Sequence, residues 1–136
     1  MTMRSRPPRP FMVWLIALIL GGAAAVNGAL LTAATLGLLG PAYRSAVAPL
    51  TPFDLVTLYG LFALQLTAMV LFFRLRERAV SLFGAYVGIA SLAAFGYTLA
   101  GQPPPFFNEI VAVAGLLVAL GVFAYMRQLR QRHVLT

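Results

Sequence analysis

Four long stretches without a charged residue constrain this 136-residue chain more than any other feature of its sequence. The first alone covers residues 11–40, whereas about 20 apolar residues in a helix cross a hydrocarbon core of about 30 Å. Backbone N–H and C=O groups in lipid need partners within their own segment, so each stretch is predicted to be a helix. Only 10% of the residues are charged, against about 25% in soluble domains. The sequence therefore predicts an all-α integral membrane protein.

Prolines, glycines and arginines indicate where these helices begin and end. The predicted helices cover residues of about 11–39, 53–73, 79–100 and 109–126, and together they form one membrane domain, residues 11–126. A basic, proline-rich lead-in occupies residues 1–10, and a basic tail occupies residues 127–136. Because the turn at residues 74–78 is short, we predict four transmembrane helices arranged as two hairpins that are joined at this turn.

The arginines are distributed unevenly between the ends of the predicted helices. Three lie in residues 1–10, three in the turn at 74–78 and three in the tail, while Arg44 alone falls on the opposite side. Basic residues near helix ends stay on the cytoplasmic side during insertion. We therefore expect both termini and the turn to be cytoplasmic, in the inner membrane of a bacterium. Six arginines lie in the turn and the tail: Arg74, Arg76, Arg78, Arg127, Arg130 and Arg132. Three roles are open for them, namely orientation of the chain, binding of anionic lipid headgroups and docking of a partner.

Two acidic residues lie at predicted helix starts on the side opposite the turn. Thr51, Pro52 and Asp54 have the order of a threonine cap, a proline at the first helical position and an acid in the first turn. Asn108 and Glu109 open the fourth helix in a similar way. Both carboxylates are expected to complement helix dipoles. The alternative is an outer acidic pair that receives a cation or the basic loop of a partner.

Small residues at helical spacing predict close helix packing. Membrane helices associate through close contact at glycine, alanine and serine more than through hydrophobicity. The third helix carries one such stripe and the fourth a shorter one, and the sequence does not say which of them packs inside the chain and which meets a partner. The residues are Ser81, Gly84, Gly88 and Ser91 in the third helix, and Gly115 and Ala119 in the fourth.

Asn27 and Gln65 are the amides near the middle of the first two predicted helices. An amide without a partner in hydrocarbon is costly, so each is expected to bond to the other or to backbone, although a small polar cavity is the alternative.

The size and four-helix layout resemble those of the small multidrug-resistance exporters and the DoxX-like proteins. The exporters' essential first-helix glutamate has no counterpart here, since that depth holds small residues and Asn27.

The chain offers little material for catalysis. It has no cysteine, its single histidine is His133 in the tail, and no charged residue lies in the interior of a predicted span, since Asp54 and Glu109 fall at helix starts. We therefore predict a non-catalytic accessory, assembly or structural subunit of a larger membrane complex, without a cofactor other than bound lipid. Its expected partners are membrane lipids and other membrane subunits or itself, not nucleic acid. The alternatives are a small oligomeric transporter of a solute or lipid using Asn27 and Gln65, and, with less support, an enzyme for hydrophobic substrates.

Overall fold

A computed structural model describes residues 10–101 and 109–135 of the chain, the side chains of 109–112 excepted. These ranges contain five helices and no strand. Four of the helices are long and apolar enough to cross a membrane, so the predicted all-helical chain with four membrane-length helices is confirmed. The helices are α1 (Phe11–Thr35), α2 (Pro41–Val47), α3 (Pro52–Phe73), α4 (Arg78–Leu99) and α5 (Glu109–Gln131).

The long helices pack in the order in which they occur in the chain. α1 packs on α3, α3 on α4 and α4 on α5, while the short α2 lies against α1. At one end, the rings of Trp14 and Phe73 meet edge to face at 4.6 Å, and Arg130 approaches Glu77. We call this the arginine end, because the turn at 74–77 and the last turn of α5 lie there. The distal end is the opposite one, where α1 and α4 finish and α3 and α5 begin.

The main hydrophobic core lies at the arginine end. Val13, Phe72, Phe83 and Met126 are completely buried there, one from each long helix. Toward the distal end the pattern changes, and among the described residues buried side chains occur only on α1, chiefly at Leu31 and Ala34. The distal halves of α4 and α5 expose large side chains, with exposed fractions of 73% for Leu92, 62% for Phe95 and 64% for Leu117.

Helix α1 ends at Thr35 rather than at about residue 39, and a specific backbone motif is the reason. The N–H of Gly37 bonds to Ala34 O at 3.0 Å, and the N–H of Leu38 bonds to Ala33 O at 2.9 Å. These two bonds form a Schellman motif, which needs a positive φ at its first residue beyond the cap. Gly37 supplies it with φ 70°.

Two further boundaries differ from the predicted ones. The segment that follows α1, predicted as a loop, contains the short helix α2, which begins with Pro41 at its first position. Helix α5 continues to Gln131 rather than ending at about residue 126. Its last turns contain arginine, glutamine and leucine, which are good helix formers. The helix stops only before His133, which has φ 55°.

Candidate functional site

The turn between α3 and α4 has a closed backbone structure. The N–H of Arg76 bonds to Leu71 O at 2.9 Å, and the N–H of Leu75 bonds to Phe72 O at 2.9 Å, which is again a Schellman motif. Leu75 takes the left-handed conformation with φ 57°, although glycine is the usual residue there. Its side chain is half-buried against the core, so a glycine at this position would lose that packing. This turn folds Arg76 back beside the last turn of α3.

Positive charge at the arginine end is almost uncompensated. Glu77 is the one carboxylate side chain among the described residues at this end, against six arginines. Its Oε1 lies 3.8 Å from Nε of Arg130, with both side chains about half exposed. Since Arg130 takes up this carboxylate, Arg76 and Arg78 have no acidic partner in the part of the chain that the structure describes.

A cavity of about 420 Å³ opens beside this turn and is lined by Leu71, Arg76, Glu77 and Arg78. Leu71 supplies an apolar wall from α3, and the two arginines supply cationic groups. Helix α4 begins at Arg78 without a side-chain cap, so the positive end of its dipole adds to this charge. The arrangement is suited to an anionic group with an apolar attachment.

The predicted small-residue stripe of α4 is divided between two environments. A Cβ at Gly84 would lie 2.9 Å from Cε2 of Phe123, so this glycine packs directly on α5. At Gly88 a Cβ would meet nothing within 4 Å among the described residues. Ser81 is exposed, and the hydroxyl of Ser91 donates to the carbonyl of Val87 at 2.7 Å within its own helix. Only part of the stripe therefore packs against described residues of the chain.

Helix α5 shows the same division. Ala119 is buried in the core, whereas a Cβ at Gly115, one turn toward the distal end, would meet no described atom within 4 Å. The positions that pack, Gly84 and Ala119, lie nearer the arginine end on their helices than Gly88 and Gly115. Gly84 of α4 thus contacts Phe123 of α5 toward the arginine end, whereas Gly88 and Gly115, farther toward the distal end, have no described neighbour at the Cβ position.

The two amides are not brought together. Gln65 is 8% exposed and its Nε2 donates to Leu20 O on α1 at 3.1 Å. Asn27 lies seven residues from Leu20, which is about 10 Å along a helix, and its side chain has no hydrogen-bond partner among the described residues. Gln65 is thus a cross-link between α1 and α3, while Asn27 is a half-exposed amide at membrane depth.

Asp54 is occupied by local contacts at the distal end. Its Oδ2 accepts from the Thr51 N–H at 2.8 Å and the Thr51 hydroxyl at 2.7 Å, while its own N–H donates to Thr51 Oγ1 at 3.2 Å. This is the capping box of α3. Its Oδ1 accepts from the Tyr97 hydroxyl at 2.5 Å, which links α3 to α4. Arg44 instead donates to Gly37 O at 3.3 Å, and the side chain of Glu109 lies outside the described residues.

Several contacts that position these groups carry no signal in the sequence. Tyr97 reaches Asp54 from 43 positions away, and the hydroxyls of Thr32 and Tyr59 meet at 2.9 Å across α1 and α3.

Within the described residues, no group of three His, Cys, Asp or Glu side chains lies close enough together to hold a metal ion. Comparison with family models, curated proteins and solved structures finds no match to the chain.

Proposed function

We propose that the chain is a non-catalytic membrane subunit that assembles with a transmembrane helix of another subunit between the distal halves of α4 and α5. The observation that carries this proposal is the pair of open glycines, Gly88 and Gly115, beyond the packed pair Gly84 and Ala119. Glycines let two helix backbones approach closely, which is the main source of helix association in lipid. A helix seated there would meet glycine on both sides.

The exposed residues around this opening suit a helix rather than a polar ligand. Leu92 and Phe95, four and seven residues beyond Gly88 on α4, share its helix face and are both more than half exposed. A water-soluble ligand would need polar groups at this position. The neighbouring Ser91 does not offer its hydroxyl hydrogen to such a ligand, because that hydroxyl already donates within its own helix. The chemistry of the opening therefore favours van der Waals packing against another apolar helix.

Adding bulk at the two open glycines tests the assembly. The double variant G88L/G115L fills the opening, and forcing extra methylenes into a packed contact costs about 1–3 kcal/mol. The control G22L/G60L places the same side chains at two other exposed glycines with no described atom within 4 Å. Tagged protein is extracted from native membranes with its surrounding lipid, and the size of the complex is measured on a native gel.

We expect the wild-type chain and G22L/G60L to migrate as a complex larger than one chain, and G88L/G115L to migrate as the free chain. A wild-type chain that runs alone, or equal dissociation of the two double variants, contradicts the proposal. Co-purification of two differently tagged copies identifies the second helix as belonging to a further copy of the same chain.

We also propose that the arginine end faces the cytoplasm of a bacterial cell, with the helices forming two hairpins that span the inner membrane. The support is the uneven charge, with six described arginines at that end against Arg44 at the other. The chain has no native cysteine, so single cysteines report orientation without interference. In intact spheroplasts, a membrane-impermeant maleimide should label S45C and leave R132C unlabelled until the cells are opened.

The second candidate is a small oligomeric transporter with a polar site at membrane depth. Asn27 favours it, because a half-exposed amide without a partner among the described residues is costly in lipid. Gln65 does not favour a transporter, since its amide already donates to the carbonyl of Leu20. If the chain transports a solute, N27L should abolish flux into liposomes, while the assembly proposal predicts that N27L leaves complex size unchanged.

A further inference from the structure

We propose that the cavity beside the turn between α3 and α4 binds the headgroup phosphate of an anionic phospholipid, with Arg76 and Arg78 as its cationic ligands. This site is at the arginine end and is independent of the opening that carries the proposed assembly. The cavity, of about 420 Å³, is lined by Leu71, Arg76, Glu77 and Arg78. Both arginines are exposed.

The charges at this end leave the two arginines available. Glu77, which also lines the cavity, would repel a phosphate if its charge were free. Its carboxylate lies 3.8 Å from the guanidinium of Arg130 on α5, which offsets that charge. No other described carboxylate side chain lies at this end. Arg76 and Arg78 therefore present positive charge for which the described part of the chain supplies no counter-ion.

The backbone places the charged and apolar walls side by side. The bond from the Arg76 N–H to Leu71 O, 2.9 Å long, folds residue 76 back toward the last turn of α3. Leu71 belongs to a membrane-length apolar helix, whereas Arg76 and Arg78 lie at and beyond the ends of the spans. A lipid matches this order, since its phosphate sits at the membrane surface and its acyl chains run along the helix. A free phosphate would leave the leucine wall unused.

Guanidinium groups are suited to this ligand. Arginine donates in a planar fork that pairs with two phosphate oxygens, and basic pockets between membrane helices are typical sites for anionic lipid headgroups. A hydrogen bond to a charged group contributes enough to change affinity about tenfold. Two such arginine ligands together should change it about 100-fold.

The test measures lipid affinity of the full chain in neutral detergent by native mass spectrometry, with phosphatidylglycerol, phosphatidylcholine and inorganic phosphate as separate probes. The key variant is R76Q/R78Q. The matched control is R127Q/R132Q, which removes the same charge from exposed arginines at the same end that do not line the cavity. The single variants R76Q and R78Q make the same comparison with less charge removed.

We expect wild type to prefer phosphatidylglycerol over phosphatidylcholine. R76Q/R78Q should weaken phosphatidylglycerol binding about 100-fold and each single variant about tenfold, while R127Q/R132Q changes it less than about twofold, because a neutral micelle has no anionic surface to attract these arginines. Equal weakening by the two double variants would overturn the proposal, because it would indicate general surface charge. An unchanged affinity in R76Q/R78Q would overturn it too. Binding of inorganic phosphate as tightly as the lipid would assign the site to a soluble anion instead.

Discussion

The arginine end and the distal end are built from the same apolar helices but pack in different ways. At the arginine end, all four long helices contribute buried side chains, including Phe72 and Phe83, to one core. At the distal end, the large side chains of α4 and α5 remain exposed, the buried side chains that the structure describes are confined to α1, and polar contacts such as the one between Tyr97 and Asp54 also link the helices. The difference indicates that the arginine end contributes most of the buried apolar packing among the described residues.

Phe72→Ala should show the largest effect and test this division most directly. Phe72 is completely buried in the core, and removing such a ring costs about 3–5 kcal/mol because a cavity remains. Phe95→Ala makes the same chemical change at the distal end, where the ring is 62% exposed, and should cost less than about 1 kcal/mol. The free energy of unfolding in mixed micelles compares them. Equal losses would show that the distal end is packed more tightly than described.

Gly84→Ala sharpens the comparison within a single helix. Its Cβ would lie 2.9 Å from the ring of Phe123, so the ring must shift, at a cost of about 1–2 kcal/mol. Gly88→Ala, with no described neighbour within 4 Å, should leave the free energy of unfolding nearly unchanged. Combining Gly84→Ala with Phe123→Leu should recover most of the loss in a double-mutant cycle. Additive losses would mean that the two residues do not touch.

Thr51→Ala tests whether local polar contacts hold the distal end of α3. The substitution removes the hydroxyl that caps the helix, which costs about 1 kcal/mol for a typical N-cap. Thr57→Ala is the control, since that hydroxyl only donates to Phe53 O inside the same helix, and its effect should be smaller. Hydrogen exchange should speed up in the first turn of α3 only in Thr51→Ala. Unchanged exchange there would indicate that the Tyr97 contact alone is sufficient.

Gln65→Leu should have the smallest effect, about 0.6 kcal/mol, which is typical of a single interhelical hydrogen bond in lipid. The bond to Leu20 O joins α1 and α3 between the two ends. Asn27→Leu removes an amide without a partner among the described residues and should not lower the free energy of unfolding of the isolated chain. If Asn27→Leu lowers the free energy of unfolding more than Gln65→Leu does, Asn27 has a hydrogen-bond partner within the chain. The polar contacts between α1 and the other helices would then extend beyond the one bond to Gln65.

Local features were predictable from the sequence. The order of Thr51, Pro52 and Asp54 predicts a helix start, and the structure has a capping box at these residues. Gly37 also carried a local signal for the end of α1, but a boundary drawn from the length of the uncharged stretch places that end too late. The reason is that a Schellman motif depends on a single positive φ, which hydropathy does not detect.

Contacts between distant segments were not predictable. Gly84 and Gly88 occur in the same stripe at equivalent helical spacing, so nothing local distinguishes the glycine that meets Phe123 from the one that meets no described residue. The same holds for Glu77 and Arg130, whose approach depends on α5 continuing beyond residue 126. Both outcomes depend on how α4 and α5 cross, which is set by the side chains of both helices together.

The sequence by itself determined that this chain forms four membrane-length helices, because long apolar segments in lipid must satisfy their own backbone hydrogen bonds. It also determined where the positive charge lies along the chain. Only the tertiary structure decided that Glu77 is offset by Arg130, that a cavity opens between Leu71 and the arginines, and that Gly84 meets Phe123 while Gly88 and Gly115 meet no described residue. Hydropathy is a property of each helix alone, whereas these features depend on the relative positions of two helices.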